Sequence, residues 1–174
     1  PMSPLSKIFW MKHEQPDIYQ NTAMFADIKT YIFYQLYGKY VIDHSMASAT
    51  GMFNLQQLDW DQEALELLGI SASQLPQLVS TTHILKGMKK RYATLMGIDE
   101  NTPVVVGASD GVLSNLGVNS YKKGEVAVTI GTSGAIRTVI DKPRTDYKGR
   151  IFCYVLDEDH YVIGGPVNNG GVIL

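Results

Sequence analysis

The amino-acid sequence predicts an α/β fold, in which helices pack on sheets around one core. Three observations predict it. The dense apolar run Val104–Val106 is typical of a strand buried on both faces. A small-residue turn that contains Asp110 follows this run and leads into a helical pattern. Farther on, residues 125–130 and 135–140 alternate as two strands around a Gly-Thr-Ser-Gly turn, which predicts a hairpin.

The composition is that of a globular protein and argues against several classes of partner. The chain has 174 residues, of which 45% are hydrophobic and 18% charged, with a net charge of -2. It contains no long basic or acidic block and no apolar run of membrane-spanning length. We therefore expect neither nucleic acid nor a membrane as a partner. The single cysteine, Cys153, fits a reducing, cytoplasmic compartment and predicts a buried strand residue.

The first part of the chain predicts helices with ordinary start and stop signals. Apolar residues at helical spacing predict a helix from Pro4 to His13, and Pro16 suits the first turn of another. Asp27 is suited to cap a third helix, which Gly38 would end. We expect the apolar face of this third helix to be buried, and its members are Ile28, Tyr31, Ile32 and Leu36.

Asp43 and His44 form an adjacent acid–imidazole pair that admits two interpretations. One is a general base, because a histidine next to a carboxylate suits proton transfer. The other is an N-cap cluster before a short helix at residues 46–50. We favour the cap because no nucleophile pattern accompanies the pair.

Helices and hairpins continue to alternate in the remaining sequence. Residues 62–68 and 86–96 predict helices that end at glycines, and residues 151–156 and 160–163 predict a second hairpin. The acidic turn Asp157–Asp159 lacks the alternating ligand spacing of a calcium loop, so we expect a solvated turn. The glycine-rich segment 164–171 is expected to lead into a helix that starts at Val172, where a nucleotide can approach backbone.

Two positions are candidate functional residues on physical grounds. Asp110 follows a predicted strand and opens a helix, which is where ligands bind in open α/β sheets. The turn Gly131–Gly134 leaves backbone N–H groups and two hydroxyls uncovered, as a phosphate requires. The alternative role for Asp110 is a plain N-cap. The alternative for Gly131–Gly134 is an ordinary hairpin turn without a ligand.

Three segments taken together resemble the FGGY carbohydrate kinases, and most of all the bacterial gluconate kinases among them. They are GASDGVLSNLG, KKGEVAVTIGTSGAIR and GGPVNNGG, in that order. The upstream segments PLSKIFWMK, VIDHSMASATGMFN and DWDQEALELLGI are similar to the sugar-binding domain of that family. The resemblance covers essentially the whole chain.

The resemblance implies an actin/hexokinase-like (ribonuclease H-like) ATPase fold, in which sugar and ATP meet between two domains. Residues 1–119 would be the C-terminal part of the N-terminal sugar-binding domain, and residues 120–174 the beginning of the C-terminal nucleotide-binding domain. The chain lacks the family's Asp-Ile-Gly-Thr phosphate loop and ends in an apolar run that has only begun. We therefore expect a part of a longer protein that is inactive by itself.

The resemblance also implies roles for individual residues, with ATP and Mg²⁺ as cofactors and no metal ligand assigned. Asp110 matches the catalytic base of the family and would also contact the sugar. The other residues that the resemblance marks are two weak candidates for the sugar, Met2 and Ser3, and four for ATP, namely Gly131, Thr132, Ser133 and Gly171. Asn168 and Asn169 would contact sugar or phosphate, or only fix a turn.

The implied reaction is ATP-dependent phosphorylation of a sugar or sugar-acid hydroxyl, with D-gluconate converted to 6-phosphogluconate as the first choice. The alternatives are another acceptor, such as xylulose or glycerol, and a non-catalytic actin-like sugar-binding regulatory protein. A nucleic-acid-binding ribonuclease H-like domain would need clustered carboxylates for two metals, and the key motif contains only Asp110. The expected partners are the sugar or sugar acid and ATP. The oligomeric state stays open, with a homodimer as one alternative.

Overall fold

The computed structural model describes residues 3–168, 170 and 171 of the chain. These residues belong to two compact units, Pro1–Gly107 and Ala108–Leu174. The first unit consists of helices joined by short two-stranded ladders, and the described residues of the second unit form a four-stranded sheet and one helix that packs on it.

The helices of the first unit are all short. They are α1 (Pro4–Glu14), α2 (Pro16–Gln20), α3 (Ile28–Tyr37), α4 (His44–Ser48), α5 (Gln62–Leu68) and α6 (Lys90–Met96), with a single 3₁₀ turn at Ala72–Gln74. Aspartate caps and left-handed glycines delimit several of them, as the sequence predicts. The Asp27 carboxylate accepts a hydrogen bond from the Thr30 N–H at 2.8 Å, and Gly38 ends α3 at φ 72°.

Strands of two or three residues tie these helices together. Strand β1 (Val41–Asp43) pairs in parallel with β4 (Gln77–Val79). The antiparallel pairs are β2 (Phe53–Asn54) with β3 (Asp59–Trp60), and β5 (Ile84–Leu85) with β6 (Val104–Val105). Buried apolar side chains form two clusters in this unit, one around Leu68, Ile42 and Trp60 and one around Leu85, Val41 and Phe33.

The buried face of α3 differs from the predicted one. Ile28, Tyr31 and Ile32 are exposed, whereas Thr30, Phe33 and Tyr37 are buried. The helix is apolar on most of its circumference, so its spacing does not select one face. The hydroxyl of Thr30 reaches the carbonyl of Val41 at 2.9 Å, which makes burial of this polar residue possible.

Two further expectations for the first unit are wrong. The triple-valine run is not buried on both faces, because Val105 is 55% exposed and the short strand β6 pairs only with β5 among the described residues. The predicted helix over 86–96 begins at Lys90 instead, because the N–H groups of residues 87–89 donate to the carbonyls of Leu36 and Glu100. Their backbone N–H groups are satisfied there and not by a first helical turn.

The second unit is built on one antiparallel sheet. Its strands are β7 (Val126–Ile130), β8 (Gly134–Ile140), β9 (Phe152–Val155) and β10 (Tyr161–Val167), in the spatial order β7-β8-β10-β9. Helix α7 (Asp110–Gly117) packs on this sheet through Val112, which lies fully buried with Val139, Leu156 and Val162. Both predicted hairpins are present, and Cys153 is buried in β9 as expected.

The second strand of the second hairpin continues past Ile163, where it was predicted to end. Gly164, Gly165 and Pro166 lie within β10, opposite Arg137, Ile136 and Ala135. A Cβ atom at Gly164 would lie 2.7 Å from the Phe152 ring, so the glycine makes room for that ring. The helix predicted to start at Val172 lies outside the described residues.

Candidate active site

Asp110 is the first residue of α7 and does not cap it. The N-cap is Ser109, whose side-chain oxygen accepts a hydrogen bond from the Val112 N–H. The carboxylate of Asp110 is exposed, and among the described residues its Oδ1 accepts only the neighbouring N–H of Gly111, at 2.7 Å. The plain N-cap alternative is therefore wrong, and most of the lone pairs of this carboxylate face solvent.

Buried contacts farther along the helix fix the start of α7. Val112 anchors the helix in the core of the second unit. Asn115 is also fully buried although it is polar, and its Nδ2 donates to the carbonyl of Ser120 at 3.2 Å. Leu113 and Leu116 are exposed instead. The buried side chains of Val112 and Asn115 thus fix the position of α7, while the carboxylate of Asp110 at its start stays accessible.

The structure brings the predicted ATP-binding residues together at the turn between β7 and β8. The N–H of Gly131 donates to the carbonyl of Ser133 at 2.8 Å, which closes the turn. The N–H of Gly170 donates to the carbonyl of Thr132 at 3.0 Å, and that of Gly171 to the carbonyl of Gly131 at 2.6 Å. Segments that are separated by more than thirty residues in sequence, Gly131–Ser133 and Gly170–Gly171, are therefore in direct contact.

This contact requires the absence of a side chain at Gly170. A Cβ atom there would overlap the carbonyl oxygen of Gly131 and would lie 2.8 Å from that of Ser133. The side chains of Thr132 and Ser133 remain exposed at the turn. The N–H groups of Gly131, Gly170 and Gly171 are used within the turn, so the expectation of uncovered N–H groups fails for these three, and the exposed hydroxyls are the groups left for phosphate oxygens.

Arg137 connects the start of α7 to the strand that precedes this turn, a contact that was not predicted from the sequence. Its Nη1 donates to the hydroxyl of Thr129 at 3.0 Å. Its Nη2 lies 3.5 Å from the position that a Cβ atom of Gly111 would occupy. The guanidinium is thus next to the residue that follows Asp110. A detectable signal was the strand alternation of β8, which puts this arginine on one face with buried Ala135 and Val139.

Two small residues and an aromatic ring lie near Arg137 on the sheet. Its neighbours across the sheet are Ala127 and Gly164. The Phe152 ring fills the space over Gly164 and stacks on Tyr154 with 4.6 Å between ring centroids. Burial raises the pKa of the Tyr154 hydroxyl, and the positive charge of Arg137 acts in the opposite direction.

The candidate sugar contacts at the beginning of the chain belong to the first unit. The hydroxyl of Ser3 donates to the carbonyl of Thr50 at 2.8 Å. Met2 lies outside the described residues, as does Asn169, whereas Asn168 is exposed after β10. The roles of these residues in sugar or phosphate binding remain predictions.

Asp43 acts as a cap, as favoured from the sequence. Its carboxylate is fully buried, accepts the Met46 N–H at 2.9 Å and pairs with the Lys29 ammonium at 2.6 Å. The ring of His44 lies 5.6 Å from that of Phe53. Helix α4 begins at His44, two residues earlier than predicted.

The part of the chain that the structure describes holds no group of three or more His, Cys, Asp or Glu side chains able to bind a metal. In the acidic turn, Asp157 instead accepts the backbone N–H groups of Asp159 and His160. No described helix is long and apolar enough to cross a membrane.

Comparison with known proteins decides the family. A model of the N-terminal domain of the FGGY family of carbohydrate kinases matches residues 1–117. The chain belongs to this family. It is 62% identical over all 174 residues to a gluconokinase of Bacillus subtilis (strain 168) and 60% identical to one of Bacillus licheniformis. It spans about a third of these FGGY relatives, 34% of the length of each.

Solved FGGY kinases have the same fold. A gluconate kinase and a ligand-bound xylulose kinase, both from Lactobacillus acidophilus, match 99% of the chain with a TM-score of 0.95 and 43% identity. The chain covers 35% of each of those structures. The actin/hexokinase-like fold and the resemblance to bacterial gluconate kinases are therefore confirmed. The limited coverage agrees with the expectation that the sequence is part of a longer protein.

Proposed function

We propose that the whole FGGY protein transfers the γ-phosphoryl group of ATP to a hydroxyl of a sugar acid, and that the acceptor is D-gluconate. The observation that carries this proposal is the position of an exposed, uncapped carboxylate at Asp110 in the same compact unit as the turn Gly131–Ser133. The identity of 62% and 60% to two gluconokinases supports the choice of acceptor.

Asp110 is the proposed general base. A sugar hydroxyl is a weak nucleophile until a base accepts its proton during attack on the phosphoryl group. The Asp110 carboxylate is exposed, and its free lone pairs are available to such a hydroxyl. Its backbone is held by α7, so the base is presented from a rigid element.

The turn Gly131–Ser133 is the proposed site of the ATP phosphates. The lack of side chains at Gly131, Gly170 and Gly171 lets a phosphate approach the backbone, and the hydroxyls of Thr132 and Ser133 can donate to its oxygens. Mg²⁺ would neutralise charge on the phosphates when it is bound, and Asp110 would orient it through water. Positioning and charge neutralisation are the main requirements of phosphoryl transfer.

We further propose that residues 1–119 belong to the sugar-binding domain and residues 120–174 to the nucleotide-binding domain of a cytoplasmic kinase.

One observation favours a second acceptor. The solved xylulose kinase matches the chain as well as the gluconate kinase does, with 43% identity and a TM-score of 0.95 in both cases. Xylulose is therefore the competing substrate.

A coupled assay of the full-length protein tests the proposal. ATP consumption is measured with gluconate, xylulose, glycerol and no acceptor, and the product is analysed for the position of the phosphate. We expect the highest kcat/KM with gluconate and a product phosphorylated at the 6-hydroxyl. A preference for xylulose would replace the substrate and keep the reaction class. Sugar binding without phosphorylation of any acceptor would support the regulatory alternative.

A further inference from the structure

We propose that Arg137 binds the carboxylate of the acceptor and thereby selects a sugar acid over a neutral sugar. This inference rests on the proposed function and names the residue that decides its substrate class. It starts from a charge that the proposed mechanism leaves unused. The guanidinium lies against Gly111, the residue after the proposed base, and within the described residues no carboxylate lies within ion-pair distance of it.

The hydrogen bonds of Arg137 leave most of its donors available. A guanidinium carries five N–H donors in a planar fork, and the described residues receive one bond from it, that from Nη1 to Thr129. The guanidinium is half-buried, and a charge that is partly removed from water gains from an anionic partner. A carboxylate can accept two parallel N–H bonds from such a fork, which a neutral hydroxymethyl group cannot.

Small residues lie next to the guanidinium. Gly111, Ala127 and Gly164 are its neighbours on the helix and on the two flanking strands. The Phe152 ring forms an apolar wall over Gly164, and an apolar wall next to a cation lowers the local dielectric and strengthens an ion pair. No bulky side chain at these three positions covers the guanidinium.

The position of Arg137 along the sheet favours the acceptor over the phosphates. It is the third residue after Gly134 on β8, which corresponds to about 10 Å of strand beyond the phosphate turn. Its side chain reaches back only as far as Thr129, which still precedes the turn by two residues. In gluconate the carboxylate and the phosphorylated hydroxyl are at opposite ends of the carbon chain. The proposal therefore requires the acceptor to extend from Arg137 at its carboxylate end to Asp110 at its phosphorylated end.

The test uses the full-length kinase with Arg137→Met, Arg137→Lys and the matched surface variant Arg144→Met. Wild-type turnover of gluconate tests the proposed function, and the variants test the role of Arg137. We expect Arg137→Met to raise the KM for gluconate on the order of 100-fold while the KM for ATP is unchanged. Arg137→Lys should lose on the order of tenfold, because the charge remains and the fork does not. Arg144→Met should behave as the wild type.

A second acceptor makes the result specific for the carboxylate. D-Glucitol has a hydroxymethyl group in place of the carboxylate of gluconate, so its kcat/KM should be nearly equal in the wild type and in Arg137→Met. Equal losses with both acceptors, or a raised KM for ATP, would assign Arg137 to the phosphoryl group and overturn the inference. A lower melting temperature with unchanged KM for gluconate would overturn it as well, in favour of a structural role. The variant Thr129→Val, which removes the internal hydrogen bond alone, should leave the gluconate KM within about threefold of the wild type.

Discussion

The backbone N–H of Gly170 donates to the carbonyl of Thr132 at 3.0 Å, so the end of the described chain lies directly on the turn between β7 and β8. Gly171 makes the equivalent bond to Gly131. The proposed phosphate-binding turn is therefore stabilised by a segment that does not belong to the β7–β8 hairpin. The close approach of the two backbones is possible only because residue 170 has no Cβ atom.

Replacing Gly170 with alanine should therefore weaken ATP binding. The new methyl group would overlap the carbonyl oxygens of Gly131 and Ser133, and the turn or the segment must move. A displacement that costs about 1–3 kcal/mol corresponds to a roughly 10- to 100-fold rise in the KM for ATP. Gly117→Ala is the matched control, because a Cβ atom there meets nothing within 4 Å. An unchanged KM for ATP in Gly170→Ala would separate this segment from the nucleotide.

Replacing Asp110 with asparagine should abolish most turnover. The change keeps the shape of the side chain and removes its basicity, so kcat should fall about 10²–10⁴-fold. Ser109 and not Asp110 caps α7, so the melting temperature of the full-length protein should change little. ATP affinity, measured by calorimetry, should stay close to the wild-type value. Asp159→Asn, in an exposed turn, is the control for a surface charge, and wild-type turnover in Asp110→Asn would exclude this residue as the base.

Local signals predicted several caps and turns of this fold, and they marked Asp110 and the turn Gly131–Ser133 as candidates. The Asp27 cap, the Gly38 stop and the turn Gly131–Gly134 depend on residues within a few positions of one another, so the sequence carries them directly. Local signals also mark Asp110, because it follows an apolar run and opens a helix.

Contacts between distant segments explain what could not be predicted. Thr30 and Asn115 are polar residues that are buried because carbonyls of Val41 and Ser120 accept their hydrogen bonds. The spacing of apolar residues along a helix does not indicate that such a carbonyl lies opposite a polar residue. The contact of Arg137 with Gly111 likewise depends on how α7 packs on the sheet. Strand alternation indicates that this arginine shares a face with Val139, but not that the face ends beside the proposed base.

Alkaline pH should destabilise the sheet of the second unit through Cys153. Burial raises the pKa of this thiol, and burial also raises the pKa of the neighbouring Tyr161 hydroxyl. A group whose pKa is higher in the folded state contributes stability below its ordinary pKa and loses it as pH rises through the folded value. The melting temperature should therefore fall as pH rises past the ordinary range of a cysteine.

The variant Cys153→Ala tests the thiol's share of this effect. Melting curves of the full-length kinase, recorded from neutral to alkaline pH, should show a smaller loss in the variant, with the remainder due to Tyr161. In the native wild type, a thiol-reactive disulfide reagent should modify Cys153 much more slowly than in the unfolded chain, because the residue is 8% exposed. Equal pH profiles and rapid modification would both contradict a buried thiol.

Removing Lys29 should destabilise the first unit more than the loss of a surface ion pair would. Its ammonium lies 2.6 Å from the Asp43 carboxylate, whose side chain is fully buried. The variant Lys29→Met leaves that carboxylate without its cation. Lys29 itself is 25% exposed, and water can partly replace it, so we expect a loss of about 1–3 kcal/mol.

The partner variant Asp43→Asn separates the ion pair from the cap. Asparagine can still accept the Met46 N–H, so this variant keeps the cap of α4 and removes only the charge. Because the double variant Lys29→Met/Asp43→Asn buries no unpaired charge, it should be more stable than Lys29→Met alone. Melting temperatures of the full-length protein measure all three. If the double variant loses the sum of the two single losses, the residues are not coupled and the proposed origin of the effect is wrong.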